Sequence, residues 1–170
     1  GTFLYLPLSY TPQVIRRNLQ TLCTALDVTY DPAEDEARAQ QALRHAKALL
    51  GDTEIAIDYT ATPAPMSLAR CLIEHGFRVT RIYADSIAAD DQEDFRWLQE
   101  NAPDLSLYAT VEVKLRVLPR ETQRPMLAIG QKAAYFTGTR HFVNIVEGGG
   151  MYGFDGICRL CARIEEAFLT

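Results

Sequence analysis

The sequence predicts an α/β fold: a three-layer, Rossmann-like arrangement in which helices cover both faces of a doubly wound, mainly parallel sheet of about five strands. Two observations predict it. Short apolar runs alternate along residues 53–170 with amphipathic segments of helical period. Glycine or proline stands at most of the boundaries between these apolar runs and helical segments. Connections between parallel strands are right-handed, which gives a doubly wound strand order.

The predicted strands and helices of residues 53–170 follow one another along the chain. The strands are residues 54–59, 78–84, 105–109, Met126–Ile129 and 142–146. The helices run from a cap at Thr62-Pro63 to Gly76, over residues 90–101, from Gln131 to Gly138, and over residues 157–169. Residues 111–119 alternate polar and apolar side chains, which leaves both a strand and a short helix open.

Residues 1–52 are predicted to pack on this core as a strand (residues 3–8) and two helices. The first helix is Pro12–Leu26, with Thr11 as its N-cap, and the second opens at Asp31-Pro32 and ends at Gly51. The division is thus 1–52 and 53–170 within one compact unit. Because the chain starts without Met and enters a strand-like segment at once, we expect a fragment of a longer multi-domain protein.

Composition and charge argue against several classes of function. The chain has 170 residues, of which 48% are hydrophobic, enough for a single domain with its own core. A formal net charge of −5, with no dense run of Lys and Arg, argues against a nucleic-acid partner. No apolar run has membrane-spanning length. The four cysteines are spread through predicted helices, which is typical of reduced thiols in a cytoplasmic protein.

The stretch from Met126 to Gly156 is the candidate functional region. Two predicted buried strands end there in glycine-rich turns, and open parallel sheets bind ligands at the carboxyl ends of their strands. In the first turn, Gly130, Gln131 and Lys132 are candidate cofactor-binding residues that could present backbone N–H groups and an ammonium to an anion. A tight strand-to-helix turn with a solvated lysine would explain the same residues.

The second turn supplies the other candidate cofactor-binding residues: Glu147, Gly148, Gly149, Gly150 and Tyr152. The bare backbone of three glycines could let a large flat ligand lie against it, with Glu147 as an acid, base or ligand. A flexible loop with a surface glutamate is the alternative interpretation.

Other motifs give weaker signals. The turn after the first core strand lacks the glycines of a dinucleotide site, and Gly130-Gln131-Lys132 lacks the spacing and the Ser or Thr of a P-loop. Cys158 and Cys161 form a CxxC on the last predicted helix. Either they are buried small side chains, or they belong to a zinc or cluster site that recruits Cys23 or Cys71. The three histidines are isolated, so no metal-ligating residue is predicted.

The closing pattern resembles that of nitrogenase component 1 type proteins. It combines the apolar strand and Gly-x-Lys turn of residues 127–132, a second strand, the glycine loop of residues 147–150, and Tyr-Gly-Phe-Asp-Gly at residues 152–156 before the final helix. The resemblance extends over nearly the whole chain, from Leu6-Pro7-Leu8-Ser9-Tyr10 onward. It is to the carboxy-terminal Rossmann-like domain of a nitrogenase-like oxidoreductase.

This resemblance implies cofactors and partners for the parent protein. Members of the family pair as dimers, hold metal clusters or tetrapyrroles between domains, and receive electrons from an ATP-driven iron–sulfur reductase. The expected partners are therefore the other domains of the parent chain, a homo- or hetero-dimer partner subunit, and the ATP-dependent iron–sulfur reductase. We expect no cofactor within this chain, an iron–sulfur or other metal cluster or a tetrapyrrole in the full-length protein, and an inactive isolated domain.

Two departures from the family pattern limit what the resemblance implies. The subunits that hold the iron–molybdenum cofactor have a His in the second strand, where this sequence has Val143, with His141 two residues away. The cysteines that bind the bridging cluster belong to the family's amino-terminal domain, which this chain lacks. Two alternatives stay open: a non-catalytic scaffold for metal-cofactor assembly, and a plain Rossmann-like domain that binds a small molecule.

Overall fold

A computed structural model describes residues 3–117 and 125–170, and it confirms the predicted fold class. Five parallel strands form one sheet in the order β3-β2-β1-β4-β5, with β1 at Glu54–Asp58, β2 at Arg78–Tyr83, β3 at Ser106–Tyr108, β4 at Met126–Ile129 and β5 at His141–Val143. The helices are α1 (Pro12–Leu26), α2 (Ala33–Leu50), α3 (Pro65–Glu74), α4 (Gln92–Asn101), α5 (Gln131–Thr137) and α6 (Gly153–Leu169). The strand order reverses between β1 and β4, and this switch point is where open α/β sheets bind ligands.

Alternating side chains of the strands build a core on each face of the sheet. Ile55 and Ile57 of β1 face the main core, which also contains side chains of α1, α2, α3 and α6. Ala56 of β1 faces the other side, where it packs with Ala133 of α5. The sheet is therefore the middle of three layers. Among the described residues, every helix is too short or too polar to span a bilayer.

The bounds predicted from sequence periodicity are close to the observed bounds for most of these elements. The bounds of α1 and β4 agree with the prediction, and β1, β2 and β3 are each slightly shorter than predicted. The stretch that was open between strand and helix forms a 3₁₀ turn at Val113–Arg116. Its last two residues, 118 and 119, lie outside the described part of the chain.

Residues 3–8 do not form a strand, contrary to the prediction. Within the described residues this segment pairs with no strand, and Phe3 is 97% exposed. The chain here bonds to helix side chains instead: Asn18 donates to the Pro7 carbonyl (2.8 Å), and just after the segment the Ser67 hydroxyl accepts the Tyr10 N–H (3.0 Å). Pro7 has no N–H to give to a ladder, and an alternating pattern does not by itself supply a neighbouring strand.

Three other boundaries differ from the prediction. Strand β5 ends at Val143, three residues early, because the chain then turns away toward the loop after β1. Helix α6 begins four residues early, at Gly153, which places Asp155 in its first turn, where a carboxylate is favourable. Helix α3 begins at Pro65 and is not capped by Thr62, because the carboxylate of Asp91 accepts its first free N–H groups.

Asp91 is a buried carboxylate whose ionisation affects stability. It is 1% exposed and accepts the N–H groups of Met66 and Ser67, each at 2.8 Å. Burial raises the pKa of Asp91 from 3.8 to about 6, and the two hydrogen bonds offset only part of that rise. Because the folded pKa lies above the unfolded one, the stability contributed by protonated Asp91 is fully present below about pH 4 and is lost as the pH rises through about 6.

We expect the free energy of unfolding to fall by up to about 3 kcal/mol between about pH 4 and pH 7 on account of Asp91. The Asp91→Asn variant should lack this component. Urea unfolding of both proteins across that pH range measures it, since the difference between the two profiles isolates Asp91 from the other titrating groups. Parallel profiles would show that Asp91 keeps its ordinary pKa in the folded protein.

Candidate site at the carboxyl edge of the sheet

The carboxyl ends of β1 and β4 meet at the switch point through Asp58 and Gly130. The Asp58 carboxylate is fully buried, and its Oδ2 accepts the N–H of Ala133 in the first turn of α5, at 2.6 Å. Gly130 lies beside it with a φ of +106°, and a Cβ at this position would be 2.4 Å from Asp58 Oδ2. Residue 130 must therefore be glycine both for its backbone conformation and for the space that the carboxylate occupies.

The ammonium of Lys132 is held between the ends of β1 and β3. It donates hydrogen bonds to the hydroxyl of Tyr59, which follows β1, and to the hydroxyl of Thr110, which follows β3, the latter at 3.2 Å. It also lies 4.2 Å from the centre of the Tyr59 ring, within cation–π range. The ion pairs of the described residues do not include Lys132. The hydrogen bonds that hold the ammonium thus go to neutral hydroxyl groups.

Asp85, which follows β2, extends this arrangement. Its two carboxylate oxygens accept the N–H and the hydroxyl of Thr110, each at 2.6 Å. The hydroxyl bond from Thr110 lowers the pKa of Asp85, and the nearby charge of Lys132 acts in the same direction. Asp85, Thr110, Lys132 and Tyr59 therefore form one hydrogen-bonded chain across the ends of β2, β3 and β1.

A groove of about 450 Å³ opens beside this chain. Its lining combines a cation, an amide, a hydroxyl and two aromatic side chains: Lys132, Gln131, Thr110, Tyr135 and Phe136. Convergent polar groups next to aromatic surface suit a ligand that has a flat body and an anionic group.

The glycine loop of residues 147–150 lies against the loop that follows β1. The N–H of Glu147 donates to the Thr60 carbonyl (2.8 Å), and the N–H of Gly148 donates to the Ala61 carbonyl (2.6 Å). Glu147 has a φ of +49° and an exposed side chain. Backbone donors of this loop are thus used to attach it to residues 60 and 61, while the Glu147 carboxylate faces solvent.

Tyr152 fixes the same loop from its other end. Its hydroxyl donates to the carbonyl of Glu147 at 2.6 Å, and a Cβ on Gly148 would lie 2.0 Å from the Tyr152 hydroxyl oxygen. Arg159 of α6 donates to the carbonyl of Gly150 at 2.8 Å. The glycine loop is therefore held on both sides.

The predicted cofactor-binding residues fall into two groups at this edge of the sheet. Gly130 lies at the switch point, and Gln131 and Lys132 line the groove. The second group is residues 147–150 with Tyr152. It lies against the loop that follows β1 and does not line the groove. Residues 60 and 61 bond to the second group and are linked to the start of α5 through the Asp58 carboxylate.

Four residues at this edge were not predicted from the sequence: Asp58, Tyr59, Asp85 and Thr110. Each of them is the last residue of a strand or lies one or two residues beyond one. The usable signal was therefore a polar residue next to the carboxyl end of a parallel strand, where ligand sites of this fold class form.

The cysteines and histidines lie elsewhere. Cys161 is buried in the core, where burial raises the pKa of its thiol to about 12, and Cys158 is partly buried. His141 begins β5 at the amino edge of the sheet, and Val143 is buried in the core. In residues 3–117 and 125–170, no three His, Cys, Asp or Glu side chains group as metal ligands would.

Comparison with known proteins supports this structure at the level of the fold. No protein-family model matches the chain, and no curated protein matches it in sequence. Among solved structures, a chain of nitrogenase Cp1, determined at pH 6.5, matches with a TM-score of 0.65 and 14% sequence identity over 99% of the present chain. The present chain spans 40% of the length of that nitrogenase chain. At this identity the likeness establishes a common fold, and the chain is a domain with a nitrogenase-like, Rossmann-like α/β fold.

Proposed function

We propose that the carboxyl edge of this domain forms one wall of a cofactor or substrate site in a nitrogenase-like, component 1 type oxidoreductase. The observation that carries the proposal is the position of Lys132, whose ammonium is held beside the groove by hydroxyl groups that follow β1 and β3. The likeness of the fold to a nitrogenase chain and the Gly-x-Lys turn of residues 130–132 support the same assignment.

In this proposal Lys132 binds an anionic group of the ligand. An ammonium has three N–H donors, and the hydroxyls of Tyr59 and Thr110 accept two of them. Both hydroxyls are neutral, so a ligand carboxylate gains a charge-assisted hydrogen bond with the third. The rings of Tyr135 and Phe136 in the groove wall give surface to a flat body. A tetrapyrrole has both an anionic group and a flat body, and a cluster with an anionic ligand has the anionic group.

Direct coordination of a metal by this chain does not fit the described residues. The thiols and imidazoles lie on helices or at the amino edge of the sheet, and no group of metal-ligating side chains forms at the carboxyl edge among them. The domain would therefore supply positioning contacts to a bound cofactor, and any metal ligands would come from another part of the parent protein.

The proposal includes partners for the parent protein. Other domains of the parent chain and a partner subunit would close the site, and an ATP-dependent iron–sulfur reductase would deliver electrons to it. The support for these partners is the fold likeness, together with the fact that the chain spans less than half of the nitrogenase chain it resembles.

The test is replacement of Lys132 in the full-length parent, purified without oxygen. Lys132→Gln removes the charge while keeping a hydrogen-bonding side chain, and we expect the parent to retain its cofactor about 10- to 100-fold less tightly. Iron content and visible absorbance per protein, followed through successive dilution and dialysis, measure this. The matched control is Lys47→Gln on α2, where the ammonium bonds only to groups near the end of that helix, Gly51 and Asp52; it should retain the cofactor as the unmodified parent does.

The outcomes separate the alternatives. Full retention of the cofactor in Lys132→Gln would show that Lys132 does not contribute to the site. A parent that holds a cluster but shows no turnover with a reductase would be an assembly scaffold. A well-folded parent without iron or chromophore would indicate a plain small-molecule binding domain, with the glycine loop as a structural turn.

A further inference from the structure

We infer that Asp58 is the positioning residue of this site: one buried carboxylate sets the positions of both the Gly-x-Lys turn and the glycine loop. Its importance for a ligand rests on the proposed function, whereas the positioning itself is a property of the chain that can be tested without a ligand.

Asp58 bonds directly to two separate segments. Its Oδ2 accepts the N–H of Ala133, which fixes the first turn of α5 and with it the base of the Lys132 side chain. Its Oδ1 accepts the N–H groups of Thr60 and Ala61, at 2.7 and 3.2 Å, and also the Thr60 hydroxyl. The carboxylate is fully buried, so water cannot replace these bonds without opening the structure.

Asp58 positions the glycine loop indirectly, through residues 60 and 61. Thr60 and Ala61, whose N–H groups donate to Asp58, also offer the carbonyls that accept the N–H groups of Glu147 and Gly148. Asp58 therefore determines where these carbonyls lie, and they determine where the glycine loop lies. The coupling follows a contiguous chain of hydrogen bonds, although residues 58 and 147 are distant in sequence.

The same carboxylate also determines which group of the Gly-x-Lys turn meets a ligand. A negative charge already bonds to the Ala133 N–H at the start of α5, and the Gly130 N–H bonds to the Val143 carbonyl. A second anion beside Asp58 would be repelled. The Lys132 ammonium lies outside the buried contact between Asp58 and Ala133. It is therefore the cationic group of the turn that an anionic ligand can reach.

The test compares Asp58→Asn with Asp91→Asn. Both wild-type residues are buried carboxylates that accept backbone N–H groups at the start of a helix, but the N–H groups that Asp91 accepts belong to α3, and those that Asp58 accepts include Ala133 of α5. An asparagine replaces one acceptor oxygen with a donor amide, so at residue 58 it must release either Ala133 or the Thr60–Ala61 peptides. Amide hydrogen exchange of Ala133, Glu147 and Gly148, resolved by NMR, is the readout.

We expect roughly tenfold or more faster exchange in Asp58→Asn than in Asp91→Asn, after correction for global stability. The affected amide is Ala133 if the asparagine releases the start of α5, and Glu147 and Gly148 if it releases residues 60 and 61. A second readout is amine labelling of Lys132 relative to Lys47, since the chain has only three lysines; labelling of Lys132 should change in Asp58→Asn alone. Equal exchange in the two variants at Ala133, Glu147 and Gly148 alike would overturn the inference.

A milder variant covers the case in which Asp58→Asn does not fold. Thr60→Val removes only the hydroxyl donor to Asp58, and it should speed exchange at Glu147 and Gly148 by a smaller factor. Unchanged exchange there would also count against the inference. Neither experiment uses a ligand. Failure of the Lys132 test would therefore leave the positioning role of Asp58 in place, and failure of the Asp58 test would leave the proposed role of Lys132 in place.

Discussion

Replacement of Gly130 by alanine is expected to lower the free energy of unfolding by about 4 kcal/mol. Two effects add. The φ of +106° is a conformation that residues with a side chain rarely adopt. The new Cβ would also lie 2.4 to 2.5 Å from the three carboxylate atoms of Asp58, which its own hydrogen bonds hold in place. Urea unfolding followed by far-UV circular dichroism measures the loss.

Gly150→Ala is the matched control for this prediction. Gly150 also has a positive φ, +73°, but a Cβ added there would have no atom of another residue within 4 Å apart from its chain neighbours. This variant should therefore show only the cost of the left-handed conformation, about 1 to 2 kcal/mol. If both alanines cost the same, the contact with Asp58 does not contribute, and the buried carboxylate is not fixed as described.

A double variant tests the contact directly. Asp58→Ala removes the atoms that the new Cβ would meet, although it also removes the capping bond to Ala133. The cost of Gly130→Ala together with Asp58→Ala should then be clearly less than the sum of the two single costs. Additive costs would mean that strain at residue 130 comes from its backbone alone.

Periodicity in the sequence predicted the central strands of the sheet well because β1 and β4 are buried. Met126–Ile129 is apolar at each position and stops at a glycine, so its bounds could be read directly. Residues 3–8 alternate as a strand would, but they contain Pro7 and pair with no strand of residues 3–117 and 125–170. Pairing is a property of two segments, and the sequence of one of them cannot supply it.

The candidate site was predictable only in part for a related reason. Glycines and a lysine after a strand are visible in one stretch of sequence, and Gly130 and Lys132 were found that way. The bond between Asp58 and Ala133 joins residues 75 positions apart, and it depends on β1 and β4 being neighbours in the sheet. The sequence pattern predicts a parallel sheet, but it does not specify which strand ends are adjacent.

The arrangement around Asp58 also explains how this domain differs from a dinucleotide-binding one. There, glycines after the first strand let a phosphate approach the helix start. Here the helix after the first strand is α3, and its first N–H groups bond to the Asp91 carboxylate. Asp58, at the end of that strand, bonds to the start of α5, and the cationic group stands apart on Lys132. The sequence already showed that the glycines were absent, and the structure shows what takes their place.

Residues 1–52 are expected to fold together with residues 53–170 rather than as a separate unit. Helix α2 packs along α6, and Leu43 of α2, 2% exposed, belongs to the same continuous core as Ile164 of α6 and Ile57 of β1. Leu43→Ala should therefore lower the free energy of unfolding of the whole chain by about 3 kcal/mol, through lost burial and the cavity that remains.

The only tryptophan, Trp97, provides the measurement that decides this. It lies on α4 within residues 53–170 and packs against the main core, so its fluorescence reports on the part of the chain that does not contain Leu43. If the chain is one cooperative unit, Leu43→Ala shifts the urea transitions of fluorescence and of far-UV circular dichroism equally. The control is Leu26→Ala on α1, the same chemical change at a side chain that is 67% exposed, which should alter stability by less than about 0.5 kcal/mol. A fluorescence transition that stays in place while part of the dichroism is lost earlier would show that residues 1–52 unfold by themselves.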